Sequence, residues 1–112
     1  MRSSFEWILE EKQVYTELEQ NLAHFTRALG HPARIAVMVE LARRGFVVQG
    51  EIIQVPKLSQ ATVMQHLREL KRAGLLKGRI FGSKADYRID SENIQKFEFL
   101  FKEFIQHFEH TS

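Results

Sequence analysis

The chain has 112 residues, of which 44% are hydrophobic, and its formal net charge at pH 7 is +2. This length suits one small domain, and no apolar run approaches a membrane span or a secretory signal peptide. Because cysteine is absent from the sequence, disulfides, thiolate metal sites and cysteine nucleophiles are excluded. We therefore expect a small cytoplasmic domain, a class that often gains burial by forming oligomers.

The charged residues are segregated along the chain. Residues 57–88 contain eight basic and two acidic side chains. Residues 1–29 contain three basic and five acidic ones, and residues 89–112 contain two and five. A basic middle between acidic ends predicts a surface that attracts a polyanion such as a nucleic acid.

The first predicted element is a long helix over residues 5–29. Apolar residues recur mostly three and four positions apart along it, which is the spacing of one helix face. They are Ile8, Tyr15, Leu18, Leu22, Phe25 and Leu29. No earlier element could cover so long a stripe, so we expect a second copy of the chain to cover part of it. The alternative is that the stripe wraps only around its own domain.

Glycine and proline residues divide the next segment into short elements. The sequence Gly-His-Pro at residues 30–32 predicts the end of the first helix and the start of the second, since proline fits a first helical turn. A short buried helix is expected over residues 33–44, closed by a glycine. Residues 46–48 read as a brief extended piece, and residues 50–55 as a short helix that the following proline prevents from continuing.

The next helix carries the functional prediction. Ser59 is a good N-cap, and Gly74 can take the left-handed conformation that ends helices. Its apolar stripe, at i, i+4 and i+7, consists of Val63, Leu67 and Leu70. The opposite face carries Ala61, Met64, Gln65, Arg68 and Arg72. Such a face suits a helix whose N-terminal half lies in a DNA major groove, because glutamine and arginine can read base edges. Taken alone, it also fits an ordinary amphipathic surface helix.

A hairpin follows that helix. A short helix, a tight turn and a capped amphipathic helix form a helix-turn-helix. Strands are predicted at residues 75–81 and 85–89, with a turn at 82–84, and a hairpin in this place is the wing of a winged-helix domain. Its basic residues are Arg79, Lys84 and Arg88. They are placed to hold phosphates or enter a minor groove. The alternative is a solvated edge that is kept charged to block aggregation.

The last predicted helix begins after Ser91 and runs to about residue 110. Its apolar stripe is strongly aromatic, which is more often packing than a cofactor pocket. The stripe matches the first helix in width, so the two helices predict a dimer layer. The residues expected at that interface are Ile8, Tyr15, Leu18, Leu22, Phe97, Phe101, Phe104 and Phe108.

Four segments of the chain carry recognisable motifs. They are Ala-Leu-Gly-His-Pro-Ala-Arg-Ile at 28–35, Leu-Ser-Gln-Ala-Thr-Val-Met-Gln-His-Leu-Arg-Glu-Leu at 58–70, Ala-Gly-Leu-Leu at 73–76, and the hairpin that closes in Tyr-Arg-Ile at 87–89. Together they resemble the ArsR-type winged-helix repressors of bacteria. The resemblance spans residues 28–90, and the terminal helices match in place and length only.

The resemblance implies a mostly α (α+β) fold. One winged helix-turn-helix domain would occupy residues 1–112, with its core at 32–90 and dimerisation helices at 1–29 and 91–112. The homodimer would place the 59–73 helix of each subunit in a major groove, on an imperfect palindrome with half-sites about one helical turn apart.

The resemblance also places individual residues. On the helix, the DNA-binding set is Ser59, Gln60, Ala61, Thr62, Met64, Gln65 and Arg68. On the wing, it is Arg79, Ser83, Lys84 and Arg88. His66 matches the family's histidine, but it falls toward the core-facing side, so we expect a structural role for it.

The sensing side departs from the family pattern. Many members bind soft metals through a Cys-x-Cys-like pair before the turn, where this chain has Val-Val-Gln-Gly-Glu at residues 47–51. Other members bind zinc with an early Asp-x-His pair and a late histidine pair on the last helix. The late half alone has a counterpart here, His107 and His110. Zinc needs three or four ligands, so we expect neither a metal nor another cofactor.

The leading hypothesis is a sequence-specific DNA-binding transcriptional regulator that acts as a repressor. The alternative, from a different class, is a winged-helix module for protein–protein assembly whose basic face meets an acidic protein. An enzyme is not expected, because the sequence shows no paired carboxylates, nucleophile elbow or phosphate loop.

Overall fold

The computed structural model describes residues 14–45, 47–48, 55, 57–81 and 84–109, without the side chains of residues 47–48, 79–81 and 84–85. The described part contains four helices and three strands. They are α1 (Glu17–Leu29), α2 (Pro32–Arg44), β1 (Val47–Val48), α3 (Gln60–Arg72), β2 (Leu76–Phe81), β3 (Lys84–Ile89) and α4 (Ser91–Gln106).

Thr16 is the N-cap of α1 and lies in the middle of the predicted first helix. The Thr16 hydroxyl accepts from the backbone N–H of Glu19 at 3.1 Å, and the Glu19 carboxylate accepts from the N–H of Thr16 at 3.0 Å. This reciprocal capping box satisfies two backbone donors at the start of α1. The prediction of one unbroken helix over residues 5–29 is therefore wrong at residues 15–16. Residues 1–13 lie outside the described part.

The turn at residues 30–32 joins α1 to α2 as predicted. His31 is the N-cap of α2, since its Nδ1 accepts from the backbone N–H of Ala33 at 3.2 Å, and Pro32 occupies the first helical position. Gly30 ends α1 with an ordinary φ of −76°, without entering the left-handed region.

Helix α3 has the predicted caps. The Ser59 hydroxyl accepts from the backbone N–H of Thr62 at 3.2 Å. Gly74 takes a φ of +88°, the left-handed conformation that turns the chain into β2. The predicted short helix at residues 50–55 lies outside the described part, apart from Val55.

The three strands form one antiparallel sheet in the order β1–β3–β2. The predicted hairpin is confirmed, with β2 and β3 in register from Leu76 opposite Ile89 to Phe81 opposite Lys84. The short strand β1 pairs with the other edge of β3, so the brief extended piece predicted at residues 46–48 becomes a third strand. Residues 82–83 of the turn lie outside the described part.

Helix α4 starts and ends earlier than predicted. Asp90, rather than Ser91, is the N-cap: its carboxylate accepts from the backbone N–H of Asn93 at 3.1 Å. The backbone N–H of Asp90 also donates to the carbonyl of Leu75 at 3.0 Å, which fixes the start of α4 beside the start of β2. The helix ends at Gln106, so the predicted end near residue 110 is wrong.

The core joins all four helices to the start of the sheet. Its buried apolar residues are Leu22, Phe25, Ala28, Val37, Leu41, Val63, Leu67, Leu70, Leu75, Leu76 and Leu100. The predicted α3 stripe is confirmed, since Leu67 and Leu70 are fully buried and Val63 is 2% exposed. Each such side chain contributes about 1.5–3 kcal/mol of burial free energy, which fixes the orientation of α3. None of the described helices is long and apolar enough to cross a membrane.

Candidate nucleic-acid interface

The two faces of α3 differ sharply in exposure. Val63, His66, Leu67 and Leu70 are buried. The predicted DNA-facing residues Ser59, Gln60, Ala61, Gln65 and Arg68 are exposed. Because the core holds the apolar stripe, the polar face with its two glutamines and one arginine points away from the protein.

Two of the predicted DNA-facing residues are only partly accessible. The Thr62 hydroxyl lies 2.9 Å from the hydroxyl of its cap residue Ser59, and Thr62 is half-buried. Met64 is half-buried and packs against the core. Both residues lie where predicted on the helix, but a large part of each side chain contacts other residues of the chain and is covered by them.

His66 is a core residue, as its position toward the core-facing side of the helix predicted. It is 8% exposed, and its Nδ1 accepts from Nε of Arg34 at 3.3 Å. Its ring lies 4.8 Å from the ring of His31, centroid to centroid. Burial lowers the pKa of His66 below its ordinary value of 6.5, and the charges of His31 and Arg34 lower it further. The imidazole of His66 is therefore neutral at pH 7, and it helps to hold α3 in place.

Arg34 links three helices, and nothing in the sequence pattern indicated this. While Nε contacts His66 on α3, Nη1 donates to the carbonyl of Ala28 at the end of α1, at 3.3 Å. In a continuing helix that carbonyl would accept from residue 32, but Pro32 has no N–H. Arg34 supplies the missing donor and ties α1 to α3 through α2.

The C-terminal end of α3 is also anchored. The Arg72 guanidinium pairs with Glu69 at 2.9 Å, so this arginine of the predicted polar face is engaged within the helix. The Nε2 of His24 on α1 donates to the carbonyl of Ala73 at 2.8 Å. The ammonium of Lys71 lies 5.8 Å from the centroid of the Tyr87 ring in β3. Helix α3 is thus held at this end by both α1 and the sheet.

The wing follows α3 directly. Of the predicted wing residues, Arg88 is described in full: its guanidinium pairs with the buried carboxylate of Asp86 at 2.7 Å. Arg88 and Asp86 share one face of β3, as their alternation predicted. Ser83 and the side chains of Arg79 and Lys84 lie outside the described part.

The predicted dimer residues fall into two groups. Exposed aromatic side chains lie along α4, just after its end and at residue 15: Phe101 is 43% exposed, Phe104 40%, Phe108 53% and Tyr15 51%. Leu22 lies instead in the core of the chain, and Leu18 and Phe97 are half-buried against that core. Leu22 is therefore covered within its own chain, because α1 turns this part of its stripe toward α3 and α4. Ile8 lies outside the described part.

The histidine pair considered for metal binding is not assembled in the described residues. His107 donates from Nδ1 to the carbonyl of Glu103 at 2.9 Å, and His110 lies outside the described part. No group of three or more histidine, aspartate or glutamate side chains in the described ranges could hold a metal ion.

Comparison with known proteins decides the family. Residues 31–77 match the family model described as bacterial regulatory protein, arsR family. The chain is 31% identical over 80 residues to an HTH-type transcriptional regulator of Methanocaldococcus jannaschii, a match that covers 71% of this chain and 90% of the relative. This chain belongs to the ArsR family. As a member, it is a DNA-binding transcriptional regulator, and the family is not one of enzymes.

Two further matches support this membership and the fold. The ArsR-family chain is 31% identical over 87 residues to the transcriptional repressor PagR of Bacillus anthracis, covering 78% of this chain and 86% of PagR. The solved structure of an ArsR-like transcriptional regulator from Rhodococcus sp. RHA1 superposes with a TM-score of 0.67 at 21% identity, covering 84% of this chain and 88% of that one. The likeness confirms the predicted winged helix-turn-helix fold, and the cysteine-free sequence agrees with the lack of a thiolate metal site.

Proposed function

We propose that this ArsR-family regulator is a cytoplasmic repressor that binds a palindromic operator as a homodimer, with α3 of each subunit in a major groove. The observation that carries the proposal is the division of α3 into a buried apolar face and an exposed face with Gln60, Ala61, Gln65 and Arg68. The repressor PagR, with 31% identity, supports the direction of regulation.

The spacing on α3 fits the reading of neighbouring bases. Gln65 and Arg68 are three residues apart and therefore lie on one face, about 4.5 Å apart along the helix axis. Glutamine can bond an adenine through two groups, and arginine can bond a guanine in the same way. Bases on one strand are about 3.4 Å apart, so these two side chains can address adjacent positions.

The dimer proposal rests on the exposed aromatic side of α4. On this side Phe101, Phe104 and Ile105 are exposed, and exposed Phe108 follows just after the helix. Phe99 is also exposed but lies on the opposite side of α4. Apolar surface of this extent on one helix marks an interaction site, and aromatic residues are enriched at interface cores. A second copy of the chain is the occupant that a two-fold symmetric operator requires. We propose that the whole chain acts as one domain, with its terminal helices forming this layer.

Fluorescence anisotropy with a labelled duplex from the gene's own upstream region tests DNA binding. Affinity should fall steeply as salt rises, because bound phosphates release counterions. The variant Arg68→Met should lose about 1–3 kcal/mol of discrimination between the operator and a scrambled duplex. Arg43→Met on α2 is the matched control, since it removes an equal charge from an arginine that pairs with Glu40. Lack of binding to any upstream fragment at low salt would contradict the proposal.

Analytical ultracentrifugation tests the dimer. Replacing Phe104 with Glu places a charge in the proposed layer and should shift the protein from dimer to monomer at micromolar concentration. Val39→Glu is the control, because Val39 is also exposed, at 64%, but lies on α2. Equal sedimentation of the two variants as dimers would exclude α4 as the interface.

A further inference from the structure

A cleft of about 230 Å³ lies between α1, α2 and the C-terminal end of α3. It is lined by His24, Arg27, Ala28, Arg34, Glu69, Arg72 and Ala73. The bond from His24 to the carbonyl of Ala73 and the bond from Arg34 to the carbonyl of Ala28 hold its walls together. The cleft therefore has a defined shape and lies more than two helical turns from the Ser59 cap.

The lining carries more positive than negative charge. Three of the lining residues are arginines and one is a glutamate, Glu69, whose carboxylate pairs with Arg72. The Arg34 guanidinium donates to two uncharged acceptors, His66 Nδ1 and the Ala28 carbonyl. Among the described residues, no hydrogen bond or ion pair engages the Arg27 guanidinium. Two cations in the cleft thus lack an anionic partner in this part of the chain.

Helix dipoles explain why Arg27 and Arg72 are located here, but they do not give the Arg27 guanidinium a hydrogen-bond acceptor. Arg27 and Arg72 lie in the last turns of α1 and α3, where cations are favoured. Three carbonyls at these helix ends are already satisfied: that of Arg27 by the N–H of Gly30, that of Ala28 by Arg34 and that of Ala73 by His24. The fork of donors on Arg27 is therefore available to an external acceptor.

We propose that this cleft binds a phosphate group, through Arg27, Arg34 and Arg72. Guanidinium groups bond the oxygens of a phosphate in pairs, and such charge-assisted bonds are stronger than neutral ones. The volume of about 230 Å³ is larger than a single phosphate and is large enough for an anion of the size of pyrophosphate. The phosphate comes either from a small soluble molecule or from the backbone of bound DNA.

Occupancy of the cleft would act on α3. Arg34 also holds His66, and Arg72 ends the helix, so a bound phosphate competes for the groups that anchor α3. An effect of this competition on DNA binding by α3 rests on the proposed function, whereas binding of the anion to the cleft does not.

Titration calorimetry with pyrophosphate, in phosphate-free buffer and without DNA, tests the site directly. Wild-type protein should bind saturably, and Arg27→Gln should weaken the affinity roughly tenfold or more, as loss of a charge-assisted bond implies. Arg43→Gln, with the same change in net charge outside the cleft, should bind as the wild type does. Absence of saturable binding, or equal weakening in both variants, would overturn the proposal. Unchanged circular dichroism of Arg27→Gln establishes that the variant is folded.

Salt titrations of DNA binding then separate the two sources of phosphate. If the DNA backbone occupies the cleft, Arg27→Gln reduces the slope of log affinity against log salt by about one. If a soluble molecule occupies it, Arg27→Gln leaves DNA affinity unchanged in phosphate-free buffer, and pyrophosphate alters DNA affinity for the wild type alone. A protein that binds pyrophosphate but no DNA would retain this site and refute the proposed function.

Discussion

Replacing Arg34 with methionine should destabilise the fold because it leaves two buried acceptors without a donor. These are Nδ1 of His66, which is 8% exposed, and the carbonyl of Ala28, a residue that is 6% exposed. A buried group that loses its partner costs about 1–3 kcal/mol. Both bonds are 3.3 Å long, near the weak end of hydrogen-bond geometry, and methionine keeps most of the apolar stem. We therefore expect a loss of about 2 kcal/mol in total.

Urea denaturation followed by circular dichroism measures this loss, at a fixed protein concentration so that any dimer contributes equally. Arg43→Met is the matched control on the same helix. Its side chain is 73% exposed and pairs with Glu40, and a surface ion pair of this kind adds little to stability. If Arg34→Met lost no more stability than Arg43→Met, at an unchanged denaturant slope, then Arg34 would not be the link between α1 and α3.

Three further predictions concern α3 and its ends. Gly74→Ala should cost about 1–2 kcal/mol of unfolding free energy in urea, since φ is +88° and the new Cβ would lie 3.0 Å from Nδ2 of Asn93. Gly45, with a φ of +92°, has open space around the same position, so a smaller cost for Gly74→Ala than for Gly45→Ala would contradict this prediction. Ser59→Ala should lower the free energy of unfolding by about 1 kcal/mol, and Ser59→Asp by much less, because an aspartate side chain can also cap the helix. Equal losses in the two variants would show that the cap does not stabilise α3. Burial lowers the pKa of His66 in the folded chain below its ordinary value of 6.5. The unfolded chain therefore binds a proton at this histidine at higher pH than the folded chain does, and stability should fall as pH drops below 6.5. His66→Gln should flatten that pH profile, and an unchanged profile would assign it to other groups.

Local signals predicted the elements that carry the site. The Ser59 cap, the glycine at 74 and the three-and-four spacing of Val63, Leu67 and Leu70 are short-range features, and the structure has each of them. The alternation of apolar and polar residues in the second strand likewise predicted the hairpin, and the two strands pair as expected. The Thr-x-x-Glu capping signal at residue 16 was also present in the sequence, but the long apolar stripe concealed the break that it makes.

Competing caps explain the error at α4. Asp90 and Ser91 are adjacent and both are good N-caps, so local propensity could not choose between them. The bond from the Asp90 N–H to the carbonyl of Leu75 decided it, because the end of the hairpin fixes where the helix begins.

The sequence by itself thus determined where α3 lies in the chain, which of its residues are buried, and that a basic hairpin follows it. Only the tertiary structure decided how α3 is held: Arg34 joins His66 to Ala28, and His24 reaches Ala73 across 49 residues. It also decided that Leu22 and Leu100 face the core while Phe101 and Phe104 remain exposed. The physical reason is that periodicity shows which face of a helix is apolar, whereas its partner depends on which distant segments pack beside it.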